Sequence, residues 1–210
     1  MREDHVKHEP TFLALILEGD RRRAQLLART SFAEHGVHFL YEHVVAPALA
    51  RVGELWSEGR ITIADEHLAT ATAQTVVAAL YPLFPWPRGG PRALIGCVQG
   101  ERHDFGARMV ADLLAIDGWD ERYLGADVPL DELVRKTHEL QPRIVALSVT
   151  LPGHVAHARD TITELRRAVP SIKVLVGGAS ALAVRDSGEH IRADAFATGF
   201  DGVEVACAWK

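Results

Sequence analysis

Apolar positions recur with helical spacing through the first eighty or so residues, then in short unbroken runs, so the hydrophobic period changes once along the chain. In the first part the spacing predicts helices over residues 11–17, 20–35, 37–58 and 62–83. Short connections between them predict an antiparallel four-helix bundle. Asp20 has the residue type and place of an N-cap, and Gly36 and Gly59 those of helix stops. Thr62 with Asp65 three positions on reads as a capping box. Pro47 lies inside the third helix and predicts a kink, because it offers no N–H to the preceding turn.

Residues 85–91 hold three prolines and two glycines and place a domain boundary there, between residues 10–85 and 91–210. Beyond it, apolar runs at 93–98, 144–149, 174–176 and 195–198 read as buried parallel strands, with a weaker one at 122–124. Amphipathic stretches at 106–116, 130–140, 154–168 and 182–191 alternate with them, and 202–209 closes the set. This is the pattern of a doubly wound parallel sheet. Ligands on such sheets bind outside the carboxyl ends of the strands.

Composition narrows the functional classes. With 210 residues, 48% hydrophobic and 24% charged, the chain can bury a core of its own. A formal net charge of -5 argues against a nucleic-acid surface, which is normally basic. Cys97 and Cys207 are too few for a disulfide framework and have no metal-site spacing, which fits a reducing cytoplasm. The charged start and the absence of any apolar run of membrane length lead to the expectation of a cytoplasmic protein without a membrane span.

The candidate chemistry lies where the first strand ends. Glu101-Arg102-His103-Asp104-Phe105-Gly106 is followed about forty residues later by Ser148-Val149-Thr150-Leu151, and then by Gly177-Gly178. In order and spacing this resembles the signature of cobalamin-binding domains. The resemblance implies that His103 is the lower axial ligand of cobalt. A metal-bound imidazole usually gives its other ring nitrogen to a carboxylate or hydroxyl, and Glu101 and Ser148 fit that part. The usual acid in the signature is Asp, so the longer Glu101 is expected to reach His103 through water. Gly106, Gly177 and Gly178 are expected to leave room for the nucleotide tail of the cofactor, with Asp104, Phe105, Thr150 and Leu151 beside it.

Trp56 is followed after nine residues by Glu66-His67, which resembles the W-x9-EH signature of light-sensing cobalamin proteins of the CarH type. That resemblance implies an α + α/β fold, a four-helix bundle followed by a flavodoxin-like, Rossmann-like parallel five-stranded sheet. It further implies adenosylcobalamin between them, Trp56 against the adenosyl group, and Glu66 and His67 lining the same pocket. Two departures stand out: the bundle begins almost at once, without a MerR-type DNA-binding domain, and Ser57 stands where those regulators have a His. Stand-alone domains of this sort resemble photocobilins, which adds biliverdin as a second chromophore candidate.

The expected function is therefore a light sensor and not an enzyme. Its expected partners are cobalamin, further copies of itself in a dimer or tetramer, and a downstream protein, without direct nucleic-acid contact. A corrinoid methyl carrier serving methyltransferases is the alternative, and a haem-holding sensor of the same fold a third. His35, His38 and His43, and His154 with His157, are read as exposed helix histidines, with metal or bilin contacts as the alternative.

Overall fold

The protein is described from a computed structural model covering residues 5–87, 89–187 and 192–210. Arg88 in the expected linker, the first four residues of the charged start, and the end of the helix expected over 182–191 lie outside the described residues. Two compact units divide the chain, Met1–Pro85 and Trp86–Lys210.

The first unit is helical. Helix α1 (His5–Leu17) runs through Pro10 and begins before the expected start, and α2 (Arg21–Leu40) is opened by Asp20, whose carboxylate accepts from the Arg23 N–H at 3.0 Å. Gly36, at φ 85° and ψ 178°, is not helical and divides α2 into two helices across a kink, so the expected stop falls there, at a backbone angle that suits glycine. The part of α2 after Gly36 passes through a π turn, Tyr41–Val45, into α3 (Ala46–Ser57). Pro47 therefore lies inside this unbroken helical stretch, in the first turn of α3, where the sequence predicts a kink. The irregularity falls just before it, where the Ala46 N–H reaches back five residues to the Tyr41 carbonyl.

Helix α4 (Ile63–Ala78) starts on a complete capping box: the Asp65 N–H donates to Thr62 Oγ1 at 3.2 Å, and the Thr62 N–H donates to Asp65 Oδ2 at 2.8 Å. Phe12, Ile16, Leu40, Tyr41 and Leu80 are fully buried and form the heart of this unit.

The second unit is the doubly wound sheet that the sequence predicts. Strands β1 (Arg92–Cys97), β2 (Asp120–Tyr123), β3 (Ile144–Ser148), β4 (Lys173–Gly177) and β5 (Ala195–Phe196) are all parallel, in the order β2-β1-β3-β4-β5. Between them run α5 (Phe105–Ile116), α6 (Leu130–Leu140), α7 (Val155–Ala168) and α8 (Ala181–Asp186), and α9 (Asp201–Ala208) follows β5. Alternate residues of each strand serve opposite faces. Val145, Leu147, Val174 and Val176 pack with Leu133, Ile162, Leu165 and Val184 of α6, α7 and α8. On the other face α5 and α9 cover the sheet, with Leu175 against Gly202. This two-sided burial explains why the strands read as unbroken apolar runs. The strand order reverses between β1 and β3, so the loops leaving those two strands diverge and open a crevice.

Candidate functional site

Four loops meet at the carboxyl edge of the sheet: those after β1, β2, β3 and β4. The Asp127 carboxylate accepts from the Gly100 N–H at 2.7 Å, joining the second loop to the first. The Ser180 hydroxyl donates to the Thr150 carbonyl at 2.9 Å, joining the fourth to the third. Gly178 (φ +99°) makes that junction possible, since a Cβ there would lie 2.4 Å from the Val149 carbonyl oxygen. The expected room for a nucleotide tail is, at Gly178, taken up by the protein's own backbone. At Gly106 a Cβ would meet nothing within 4 Å, and at Gly177 only the Leu147 oxygen at 4.0 Å.

Glu101 is the centre of the cluster. It is fully buried, and its two oxygens accept five hydrogen bonds. Oε1 takes the backbone N–H of His103 at 2.9 Å and the His103 Nδ1 at 2.6 Å. Oε2 takes the N–H groups of Thr150 and Leu151, each at 2.9 Å, and the His154 Nδ1 at 3.0 Å. Burial by itself would raise the pKa of this carboxyl. The bonds from His154, the His103 and Leu151 amides and the His103 ring outweigh it and bring the value down to about 2.

An ionised carboxylate only accepts, so both imidazoles carry their proton on Nδ1. His103, with 59% of its side chain exposed, thereby keeps Nε2 as its accessible ring nitrogen. These residues fit a transition metal approached from one side: an imidazole oriented through its Nδ1, a buried anion behind it, and open space at Gly106.

Two expectations are corrected here. The Glu101–His103 contact is direct, because the two-residue turn between them brings the longer side chain back onto the ring. Ser148 is not the hydroxyl behind that pair. It lies beside Cys97, whose thiol is pushed up to about 12 by burial and by Asp104 and Glu101, with the Ser148 hydroxyl partly opposing them. His154 takes the place expected of Ser148. Its side chain is only 19% exposed, so the reading as an exposed helix histidine also fails. The signal in the sequence was slight: a His three residues beyond the backbone amides that hold Glu101.

The remaining predicted residues of this unit order the loop. The Tyr123 hydroxyl donates to the Asp104 side, with carbonyl and carboxylate oxygens each at 3.0 Å, and Phe105 is buried at the start of α5. Thr150 and Leu151 act through their amides. In the helical unit, Trp56 lies in the last turn of α3 and is 49% exposed, while Glu66 and His67 lie in the first turns of α4 with a 3.6 Å contact between them. Glu66 also accepts from the Thr70 hydroxyl at 2.8 Å. Ser57 donates its hydroxyl to the Glu54 carbonyl at 2.8 Å.

A parallel α/β domain with one oriented imidazole on the loop at its switch point has the layout of a cofactor-binding domain. Residues 91–203 match the family described as "B12 binding domain", and residues 10–81 match a second family of the same description. The chain belongs to the B12-binding domain family. It is similar to the HTH-type transcriptional repressor CarH of Myxococcus xanthus, 35% identical over 143 residues, 67% of this chain and 47% of the repressor. The match therefore spans about half the length of that relative. The trimethylamine corrinoid protein of Methanosarcina barkeri is 26% identical over 163 residues, 75% of this chain and 74% of that protein. The solved monomethylamine corrinoid protein of Methanosarcina barkeri has the same fold, with a TM-score of 0.81 at 18% identity over 97% of this chain and 98% of that one. Among the described residues, no helix is long and apolar enough to cross a membrane.

Proposed function

We propose that the chain is an adenosylcobalamin-binding light sensor, with His103 as the lower axial ligand of cobalt and Trp56, Glu66 and His67 lining the upper side. The observation that carries the sensor reading is Trp56. A large apolar side chain left half exposed at the end of α3, at the spacing of W-x9-EH from a capped helix start, is a surface suited to an apolar ligand group. The 35% identity with the CarH repressor supports the same reading.

Bound adenosylcobalamin supplies a cobalt–carbon bond that light cleaves. His103, held by Glu101, would bind the cobalt, and Gly106, Gly177 and the backbone of Asp104, Phe105, Ser148, Thr150 and Leu151 would line the cofactor, while Gly178 keeps the loops after β3 and β4 together. Residues 10–85 serve as the cap and 91–210 as the ring-binding domain. Trp56 would pack against the group that light releases, and the indole would lose that contact on its release. The loss is read as altered domain or subunit association, in a dimer or tetramer, or by a downstream protein. No turnover is involved. Biliverdin is a further chromophore candidate, with His35, His38 and His43 as the polar groups nearest in kind to what its propionates need.

A corrinoid methyl carrier is the second reading, favoured by the match that spans 74% of the trimethylamine corrinoid protein. Absorption spectra and light scattering of the adenosylcobalamin-loaded protein, in darkness and after green light, separate the two. A sensor changes its spectrum and its hydrodynamic radius together. A carrier exchanges methyl groups with a corrinoid methyltransferase and keeps one assembly state in light and dark. A broken cobalt–carbon bond with unchanged scattering would rule out signalling through assembly. Spectra after adding biliverdin test the second chromophore.

A further inference from the structure

We propose that His154 is a positioning residue for the metal ligand: by holding one oxygen of Glu101 it commits the other to His103, and so sets the tautomer in which His103 meets cobalt. Its consequence for cobalt rests on the cobalamin reading above, while its geometry does not.

A glutamate carboxylate turns easily about its last bond, where the torsion is broad and nearly two-fold. One donor to one oxygen does not fix such a group. Glu101 is fixed because Oε1 receives two donors from His103 and Oε2 receives three from the loop after β3 and its following turn. Of those three, the Thr150 and Leu151 amides belong to the loop. His154 stands at the start of α7, a fourteen-residue helix packed on the sheet, and gives the carboxylate its connection to a rigid element.

The first turn of α7 holds the same loop in other ways. A Cβ on Gly100 would lie 3.3 Å from His154 Cδ2 and Nε2, so the ring covers the backbone just before Glu101. His157 stacks on His154, with centroids 6.1 Å apart and planes at 12°, and its Nδ1 donates to the Gln99 carbonyl at 2.8 Å. Two imidazoles one turn apart thus clamp residues 99–101, the segment that carries the ligand loop. Ser148 has no such connection, since its hydroxyl lies at the Cys97 thiol.

The test uses the full chain with nitrogen-labelled histidine, first without cobalamin and then loaded. Above the imidazole titration range, nitrogen NMR of the unloaded wild type is expected to show His103 protonated on Nδ1. His154→Phe and His154→Leu remove the donor and are expected to raise the share of the other His103 tautomer at least several-fold. His154→Asn places an amide N–H near the position of Nδ1 and is expected to restore the wild-type ratio. In the loaded protein, the nitrogen splitting of the cobalt(II) electron resonance should weaken in the donor-less variants and return in His154→Asn.

Wild-type tautomer ratios in folded donor-less variants would overturn the proposal. Equal loss in the Asn variant would overturn it too, because ring packing and not donation would then be responsible. A wild type that binds no cobalamin would end the cobalamin reading alone, since the tautomer measurement needs no cofactor.

Discussion

Gly178 and Val149 pass so closely that a methyl group on the glycine would lie 2.4 Å from the valine carbonyl oxygen, at a backbone angle of +99° that side chains rarely adopt. Gly178→Ala is therefore expected to destabilise the sheet domain by about 2 to 4 kcal/mol, from overpacking together with backbone strain. Gly106 is the opposite case. It lies in α5 with open space around it, so Gly106→Ala is expected to gain up to about 1 kcal/mol from helix propensity. Urea unfolding of both variants checks the contrast. If cobalamin uses the space at Gly106, its affinity falls in that variant although the fold is firmer.

Acid should act on this domain through Glu101. Its folded pKa of about 2 lies below the ordinary 4.5, so the carboxylate contributes stability above pH 4.5 that is lost as the pH falls towards 2. The shift corresponds to about 3 kcal/mol. Glu101→Gln is expected to lower the unfolding free energy by that order at neutral pH, with the difference from wild type shrinking below pH 4.5 and gone near 2. Chemical denaturation at a series of pH values gives the two curves, and parallel curves would contradict the assignment.

His103→Ala should leave a folded protein, because the ring is mostly exposed and only one side-chain bond to the Glu101 carboxylate is lost, worth about 1.5 to 3 kcal/mol. The histidine-ligated spectrum of the loaded protein is expected to disappear and cobalamin affinity to fall. A variant spectrum identical to wild type would remove His103 from the metal.

Trp56→Ala is expected to change stability by only about 1 kcal/mol or less, well short of the roughly 3 to 5 that a buried tryptophan costs. The reason is that half of the side chain is already in solvent. Preference for adenosylcobalamin over methylcobalamin should narrow in the same variant. Competition binding with the two cofactors measures it.

Much of the sheet domain was legible because its signals are local. Unbroken apolar runs mark strands buried on both faces, and Glu101, His103 and Gly106 are close enough in sequence to be recognised together. The capping box at Thr62 and Asp65 was legible for the same reason. His154 was not, since its meeting with Glu101 depends on how the loop after β3 folds back across the edge of the sheet. Ser148 was misplaced because strand alternation gives a residue its face but not the neighbour it meets there, which proved to be Cys97. The role of Gly178 was misread because a glycine that admits a ligand and one that admits a neighbouring strand look alike in one dimension. The π turn left no mark beyond Pro47 near its end.

That π turn makes the direction of Trp56 depend on a residue count. Tyr41–Val45 holds one residue more than an α-helix of the same rise would use, as its five-residue hydrogen bond records. Deleting one residue there would rewind the segment and rotate everything after it by about 100°. Trp56 would then leave its present azimuth with every side chain of the helix unchanged. The indole's bearing is therefore more exposed to a single insertion or deletion upstream than to most substitutions around it.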